Sequence, residues 1–427
     1  MTGMLQKWAL KTCISAASAA FALVTAANGQ TLSIAYIAND DLWLRGGTDA
    51  SARRLTHSGA CKSPRFSADG SLIAFQDSDI VSVFSVPKAD IVKVKIPQGE
   101  WRFIWSPTDN TLAVWNQSGL YLFSQRDSWA GEQIVKGGPR SMVLDAVSNN
   151  DGQKLLVAMR NAGSNSGPDL GTIYTIDLQN RRQVSTLLTE PGSGFDLFGW
   201  SRDSSTILFW KAPSFSSSME ADGLDLYAMS LPSREVRRLG NARTLVHRDV
   251  LHWSPDGGSL LLTLVGSGDG SGLGRETWAD RPLAEMNVLS GVMRIVSSPH
   301  TSTLFPAWSP SGDDIAFVQA PEGRGSMRER KVWIMRRYGT EKRRLTSDNV
   351  YREEHPIWLS NETILFSRID ASYRASLWSV TKDGLSLAQV AELPALPEKA
   401  WGYYGYVDWA EYFDAWVPNA LCSCRIH

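Results

Sequence analysis

The amino-acid sequence predicts an all-β fold, a single β-propeller of about eight four-stranded blades. One unit recurs along the chain: an aromatic residue, a turn rich in Ser, Pro, Asp and Gly, and a short apolar strand that begins seven residues after the aromatic. A second hairpin follows the first, for example at 226–231 and 235–239. Each unit therefore supplies four strands, and a radial repeat of four-stranded sheets is a β-propeller.

The turn chemistry explains the first hairpin of each unit. In Trp253-Ser-Pro-Asp-Gly and Trp308-Ser-Pro-Ser-Gly, the proline presets φ at the second turn position and the glycine accepts positive φ. The apolar run after each turn suits a strand that neighbouring blades cover on both faces. The clearest units start at Phe66, Trp105, Trp200, Trp253 and Trp308, and weaker copies start at Val147 and Trp358.

The second strand of each unit gives the blade count. These strands begin near Ile34, Ile73, Leu112, Leu155, Ile207, Leu260, Ile315 and Ile364. Eight starts predict eight blades, and seven blades with an irregular cap are the alternative. The first unit lacks an innermost strand of its own, so we expect a C-terminal strand at 406–409 to complete this blade and to remove an exposed sheet edge. Residues 413–417 have no place in this scheme.

The high tryptophan content has a structural explanation on this interpretation. Of the 17 tryptophans, nine fall on positions of the repeat, where they are expected to pack between blades. They are Trp43, Trp105, Trp200, Trp253, Trp308, Trp333, Trp358, Trp378 and Trp409. Trp101, Tyr404 and Tyr406 lie outside the repeat pattern, and they are candidates for contact with a ligand.

The N-terminal segment predicts export. Residues 1–29 have the pattern of a signal peptide, with Lys7 and Lys11 before an apolar run at 14–27. This run is too short to span a bilayer comfortably, so we expect a periplasmic or secreted monomer with no membrane span after cleavage. The propeller is assigned to 30–418 and a tail to 419–427.

A formal net charge of −1 argues against binding to nucleic acid.

Export would also permit disulfide bonds. Three cysteines follow the predicted signal peptide, and an odd number cannot pair fully within one chain. A bond from Cys61 to Cys422 or to Cys424 would tie the tail to the first blades, and a free thiol in the tail is the alternative. A zinc site is not expected, because the sequence has no Cys-x-x-Cys pair.

The repeat resembles that of a known family. The Trp253 and Trp308 motifs and Arg343-Arg-Leu-Thr are similar to the WD40-like propeller repeat of the TolB type, over about residues 32–417. The resemblance implies an exported propeller closed by a final tryptophan-containing strand. The chain departs from TolB in its eight predicted units, against six, and in having no room for a separate N-terminal α/β domain. Similar repeats precede the hydrolase domain of prolyl oligopeptidase-like peptidases, but this sequence has no Gly-x-Ser-x-Gly motif.

The long loops predict which face of the propeller carries function. They join second to third strands and open on the same face as the connections between blades, at 160–171, 211–225, 266–283, 319–331 and 368–376. Polar and aromatic residues on this face are expected to surround the central opening. The binding candidates are Glu100, Trp101, Arg102, Asp196, Arg248, Arg352, Glu354, Tyr404 and Tyr406.

Two functions are compatible with this arrangement. The preferred hypothesis is a non-enzymatic scaffold that binds a protein, peptide or glycan on the loop-rich face, with no metal and no cofactor. The alternative is a carbohydrate-active enzyme, a polysaccharide lyase or hydrolase, in which histidines and carboxylates bind a metal or act as general acid and base. Here the repeat resembles that of oligogalacturonate lyase, a propeller with central histidine ligands. The catalytic candidates are His247, Asp249, His252, Glu353 and His355. A third possibility is that these residues form a solvated rim of mutually paired charges.

Overall fold

The protein is an eight-bladed β-propeller, as the sequence predicts. The computed structural model describes residues 32–46, 49–97, 99–163, 168–180, 182–213, 223–265, 279–321, 329–396 and 407–418. Within these residues the regular structure consists of 32 β-strands and short 3-10 turns, without an α-helix. The strands form eight antiparallel sheets of four strands each, so the predicted fold class and blade number are confirmed.

Across the described part of the chain, no helix has the length and apolar character that a membrane span requires.

Blade 1 combines β1–β3 with the C-terminal strand β32, and blades 2 to 8 each contain four consecutive strands. The innermost strands of blades 1 to 8 are β32 Phe413–Trp416, β4 Cys61–Phe66, β8 Arg102–Trp105, β12 Ser141–Ser148, β16 Ser193–Trp200, β20 Leu251–Trp253, β24 Thr303–Trp308 and β28 Arg352–Trp358. The second strands are β1 Ser33–Ala38, β5 Leu72–Asp77, β9 Thr111–Asn116, β13 Lys154–Asn161, β17 Thr206–Pro213, β21 Ser259–Thr263, β25 Asp314–Gln319 and β29 Thr363–Ile369.

The outer half of each blade is a hairpin formed by the third and outermost strands. The third strands are β2 Asp41–Gly46, β6 Ile80–Ser85, β10 Gly119–Ser124, β14 Leu170–Asp177, β18 Leu224–Ser230, β22 Leu283–Asn287, β26 Lys331–Arg336 and β30 Arg374–Thr381. The outermost strands are β3 Asp49–Arg54, β7 Asp90–Lys93, β11 Glu132–Lys136, β15 Gln183–Pro191, β19 Val236–Thr244, β23 Met293–Ile295, β27 Arg343–Arg344 and β31 Leu387–Ala395.

The first hairpins form for the reasons given by their sequence. Gly257 and Gly312 adopt φ of 73° and 77°, a left-handed conformation that glycine reaches without a steric penalty. The second strands that follow these turns are covered on both faces, and all six residues of β25 are buried. Stacked blades therefore supply the core that a single four-stranded sheet lacks.

The ring closes in blade 1, but not with the segment that we predicted. Strand β32 pairs antiparallel with β1, and Ala415 lies opposite Ile34. The assignment of 406–409 as the closing strand is wrong, because Trp409 begins a 3-10 turn that the Asp408 side chain caps by accepting a hydrogen bond from the Ala410 amide at 3.1 Å. Residues 413–416, which had no place in the sequence scheme, are the closing strand.

Repeat tryptophans connect neighbouring blades through hydrogen bonds as well as packing. The indole Nε1 of Trp105 donates to the Arg65 carbonyl at 2.9 Å, and that of Trp358 donates to the Ala307 carbonyl at 3.1 Å. In both pairs the acceptor lies on the innermost strand of the preceding blade. Trp308 occupies the same position in blade 7 and is 1% exposed, but its Nε1 has no hydrogen-bond partner among the described residues.

Candidate functional site

The central axis of the propeller contains a cavity of about 410 Å³, which we call the axial cavity. The innermost strand of every blade contributes to its lining, and this places the cavity on the axis. One lining residue from each of blades 1 to 8 illustrates this: Phe413, Arg65, Arg102, Asp145, Asp196, His252, Ala307 and His355. Small-molecule and peptide sites typically have volumes of about 300–1,000 Å³, so the axial cavity has the size of a ligand site.

Most of the site residues predicted from the sequence meet in the axial cavity. Those that line it are Trp101, Arg102, Asp196, His247, Arg248, Asp249, His252 and His355. Glu100 lies outside the lining and forms an exposed ion pair with Lys62 at 3.0 Å. Tyr404 and Tyr406 lie outside the described residues. The inter-blade connections therefore converge on the central opening, as the propeller geometry requires.

Three innermost strands share a bulge that shapes the cavity wall. Ser63, Phe305 and His355 adopt φ of 57°, 52° and 53°, and each precedes a proline. The strand register shifts at each of these positions. A bulge turns a side chain away from the direction that the regular pleat would give it, and left-handed backbone at non-glycine residues is a conformation found preferentially at functional sites.

The bulge in blade 8 fixes the position of His355. Its imidazole meets the ring of Phe305 edge-on, with ring centroids 6.0 Å apart, and that of Phe413 at 5.9 Å. These two rings belong to the blades on either side, blades 7 and 1. Edge-to-face contacts of this length are favourable, so the two aromatic neighbours orient a titratable ring at the cavity wall.

A second imidazole, His252 on β20, lies on the same cavity. Its side chain is buried, with 5% exposure, and its Nδ1 has no hydrogen-bond partner among the described residues. Burial lowers the pKa of His252 to about 4, because desolvation disfavours the imidazolium; a hydrogen bond to the Trp253 backbone opposes this shift and the charge of His355 adds to it. His252 is therefore neutral near pH 7 and available as an acceptor or a donor.

The depressed pKa of His252 predicts a loss of stability in acid. The folded pKa of about 4 lies below the ordinary value of 6.5, so below pH 6.5 the unfolded chain binds a proton that the folded chain excludes. Protonation of this residue in the unfolded chain should lower the free energy of unfolding by about 2 kcal/mol when the pH falls from about 7.5 to about 5. Urea denaturation at both pH values should show that loss in the wild type and a smaller loss in His252→Gln.

His300 provides the control for this pH effect. Its side chain is 80% exposed and lies 3.4 Å from Asp280. His300→Gln should keep the acid sensitivity of the wild type. If His252→Gln and the wild type lose the same stability between the two pH values, the pKa of His252 is not lowered by folding and the prediction is wrong.

An ion pair crosses the wall between three blades. The Arg248 Nη2 lies 2.6 Å from the Asp145 Oδ2, and Arg248 Nε donates to the Leu197 carbonyl at 3.0 Å. These residues belong to blade 4, blade 5 and the connection into blade 6. Both charged side chains are largely buried, which strengthens their attraction relative to an exposed pair. Arg248, a predicted binding residue, therefore also fixes the cavity wall.

Several lining residues were not among the sequence candidates. Asp145 lies on the innermost strand β12, and Asp414 lies on the closing strand β32. A place on an innermost strand was the sequence signal for Asp145, whereas Asp414 had none, because residues 413–417 had no place in the repeat scheme. Trp115, on β9, is a further such residue.

The remaining predicted residues form a buried ion-pair network between blades 7 and 8. Glu353 and Glu354 are fully buried and do not line the axial cavity. Glu353 accepts from Arg368 Nε at 3.0 Å and from the Val332 amide at 2.9 Å, while Glu354 pairs with Arg330.

The network extends to the C-terminal turn. Arg352 Nε lies 3.0 Å from Glu354 Oε1, and Trp409 Nε1 donates to Glu354 Oε2 at 2.8 Å. These contacts join blade 7, blade 8 and the segment before β32. Arg352, Glu353 and Glu354 therefore stabilise the closed ring.

The structure describes only one of the three cysteines in the predicted disulfide. Cys61 is buried and has no disulfide partner among the described residues, and its Sγ lies 3.3 Å from the hydroxyls of Thr56 and Ser58. Cys422 and Cys424 lie outside the described residues, so the disulfide stays a prediction. In the described ranges, no group of three or more His, Cys, Asp or Glu side chains is arranged to hold a metal ion.

Comparison with known proteins identifies the architecture. No protein-family model and no curated protein sequence match the chain. Among solved structures, dipeptidyl peptidase 4 of Porphyromonas gingivalis is similar with a TM-score of 0.61 and 10% identity, over 86% of this chain and 58% of the peptidase. This chain thus spans a little over half the length of that enzyme.

Two further similar structures belong to families that the sequence resembles. An oligogalacturonate lyase in complex with manganese has a TM-score of 0.52 and 14% identity, over 86% of this chain and 96% of the lyase. A putative TolB from Agrobacterium tumefaciens has a TM-score of 0.36 and 13% identity, over 85% of this chain and 88% of TolB. Identities this low establish the propeller fold alone, because one fold supports many functions.

Proposed function

We propose that this chain is an exported binding propeller that receives a segment of a protein, peptide or glycan in the axial cavity. The observation that carries the proposal is the convergence of all eight innermost strands on one cavity of about 410 Å³. A concave site that combines apolar walls with a few fixed polar groups is the usual form of a ligand site. Export is supported by the signal-peptide pattern at 1–29.

The rigidity of the wall supports a binding role. His355 is held between two aromatic rings, and Arg248 is held by Asp145 and a backbone carbonyl. Polar groups fixed in this way lose little conformational freedom when a ligand binds, which favours affinity. The similar structures include a peptidase and an oligogalacturonate lyase, so the architecture is compatible with peptide and glycan ligands.

One observation favours the second candidate, a carbohydrate-active enzyme. His252 and His355 line the same cavity and interact electrostatically, and the pKa of His252 is lowered to about 4. A neutral imidazole beside a second titratable imidazole can remove and return a proton. In this second proposal, a lyase or hydrolase would use these two histidines without Glu353, whose carboxylate is occupied by Arg368 and Val332.

Narrowing the axial cavity tests the proposed binding function. Purified mature protein would be screened against a glycan array and a peptide library, and each ligand found would be measured by calorimetry. His247 is half-buried on the cavity lining, so His247→Trp should obstruct the cavity and weaken binding about tenfold or more, since about 1.4 kcal/mol of lost contact corresponds to that factor.

The control makes the same substitution outside the axial cavity. His300 is exposed and does not line the cavity, so His300→Trp should bind as the wild type does. Equal affinities for the two variants, or no ligand for the wild type in either library, would contradict the proposed function. Cleavage of a bound glycan that His355→Ala abolishes would establish the second candidate instead.

A further inference from the structure

A second cavity, which we call the blade 7 pocket, lies away from the propeller axis. Its volume is about 350 Å³, and its lining includes Gln319, Glu329, Lys331, Trp333, Arg344 and Asn349. Four of these residues lie on β25, β26 and β27, the three outer strands of blade 7. None of the six lines the axial cavity. The blade 7 pocket is therefore separate from the proposed binding site.

The strand register places four of the lining side chains on one face of blade 7. Lys331 and Trp333 are two residues apart on β26, so they share a face. Gln319 lies opposite Lys331, and Arg344 lies opposite Trp333. Arg344 is thus the diagonal neighbour of Lys331, at a spacing of about 7–8 Å that long side chains can span. A guanidinium and an ammonium group can therefore approach one small ligand.

The arginine of this pocket belongs to a motif that recurs in the propeller. Arg-Arg-Leu occurs at 53–55, 237–239 and 343–345, at the outermost strands of blades 1, 5 and 7. In each blade the second arginine lies directly opposite an aromatic residue of the third strand. The three second arginines therefore occupy equivalent positions and can be compared.

Blades 1 and 5 supply a carboxylate for the second arginine. Arg54 pairs with Asp41 in blade 1, and Arg238 Nε lies 2.8 Å from Asp225 Oδ2 in blade 5. Both aspartates stand two residues before the aromatic residue that faces the arginine. Blade 7 has Lys331 at that position, so a second cation replaces the carboxylate.

Three cations at the blade 7 pocket form no ion pair with a described residue. Arg344 is exposed and also makes no side-chain hydrogen bond within the described ranges. Lys331 is 4% exposed, and its Nζ donates to the uncharged Tyr351 carbonyl. Lys342 Nζ lies 3.4 Å from Gln319 Oε1. The hydrogen bonds of these cations therefore leave their charges uncompensated.

The nearby carboxylates do not replace the missing aspartate. Glu353 accepts from Thr346, as Asp41 does from the threonine of blade 1, but its charge is paired with Arg368, whose Nη2 lies 2.9 Å away. Among the described lining residues, Glu329 is the one carboxylate, and it is exposed. Positive charge is therefore in excess on the lining when Lys342 beside it is included.

The charges around Lys331 show the same imbalance. Burial lowers the pKa of Lys331, and the charges of Arg368 and Arg344 add to this shift, whereas those of Glu353 and Asp348 oppose it. An anion between Lys331 and Arg344 would offset the repulsion between these two groups. The pocket is thus arranged to stabilise negative charge.

We infer that the blade 7 pocket binds an oxyanion, a carboxylate or phosphate group of a small ligand, between Arg344 and Lys331. This site goes beyond the proposed function, which concerns the axial cavity. A guanidinium donates two parallel hydrogen bonds to one oxyanion, and an ammonium group has three donors, of which Tyr351 engages one. The oxyanion takes the place beside Arg344 that the carboxylates of Asp41 and Asp225 hold in blades 1 and 5.

The test measures the binding of small anions to the intact mature protein by calorimetry. The probes are inorganic phosphate and glucuronate, with glucose as the uncharged counterpart of glucuronate, in a buffer free of other oxyanions. We expect at least one anion to bind and glucose not to bind, and the anion that binds identifies the group as phosphate or carboxylate. Arg344→Gln should weaken this binding about tenfold or more, as the loss of a charge-assisted hydrogen bond requires.

A second variant restores the arrangement of blades 1 and 5. Lys331→Asp places a carboxylate beside Arg344 and should abolish anion binding. Because Lys331 is buried, circular dichroism would first establish that this variant is folded. Arg344 is exposed, so Arg344→Gln tests the inference even if Lys331→Asp does not fold.

The matched control is Arg238→Gln, which removes the equivalent arginine of blade 5 and should bind the anion as the wild type does. His247→Trp, which alters the axial cavity, should also leave this affinity unchanged. Binding of neither anion by the wild type, an unchanged affinity in Arg344→Gln, or an equal loss in Arg238→Gln would overturn the inference. The proposed function would survive each of these results, because the peptide and glycan screens test it at a different site.

Discussion

Truncation after Tyr412 should abolish cooperative folding of the propeller. This change removes β32 and with it Phe413 and Trp416, which are 3% and 7% exposed. Loss of two buried aromatic side chains costs about 3–5 kcal/mol each, against a typical total stability of about 5–15 kcal/mol. It also leaves β1, an apolar strand, as an open sheet edge prone to aggregation. Thermal unfolding followed by circular dichroism, with gel filtration, measures both effects.

Truncation after Pro418 is the matched control for ring closure. This variant keeps β32 and its pairing with β1, so under reducing conditions, which remove the predicted disulfide to Cys422 or Cys424, its unfolding transition should match that of the full mature chain. A cooperative transition in the shorter variant, at the midpoint of the longer one, would show that β32 does not stabilise the ring.

Glu354→Ala should be among the most destabilising single substitutions in the chain. Glu354 is fully buried and pairs with Arg330, Arg352 and Trp409. Removal of one partner from a buried ion pair leaves an uncompensated charge and costs about 3–5 kcal/mol. Glu354→Gln keeps an acceptor for Trp409 and should lose less. Urea denaturation gives both values.

An exposed glutamate in the same blade serves as the comparison. Glu362 is 75% exposed at the side chain and lies 3.9 Å from Lys382, so Glu362→Ala should change stability by at most about 0.5 kcal/mol. A Glu354→Ala variant as stable as Glu362→Ala would mean that the network between blades 7 and 8 does not hold the ring.

The blade count was predictable from sequence because turn chemistry and strand burial are local properties. Every second strand begins one residue before the apolar residue predicted to start it, from Ile34 in β1 to Ile364 in β29. The closing strand was not predictable in the same way. Trp409 matches the repeat pattern as well as Trp416 does, and the choice between them depends on contacts far away in sequence, such as the hydrogen bond from Trp409 to Glu354.

The candidate site was partly predictable for a related reason. Residues in the inter-blade connections or at the start of innermost strands, such as His247 and Arg102, reach the axis because the topology brings these segments there. Glu353 and Glu354 follow the same rule, but Arg330 next to β26 of blade 7 and Arg368 on the paired strand β29 form ion pairs with them. Partners supplied by other strands decide whether a charged residue faces the cavity or a buried network, and local sequence does not reveal those partners.

Binding in the axial cavity can be observed in a crystal structure of the mature protein with its tightest ligand from the peptide and glycan screens. We expect ligand density on the propeller axis, in contact with the innermost strands and within hydrogen-bond distance of Arg102 or His252. Density for the ligand on the outer strands, with the axial cavity unchanged, would contradict it.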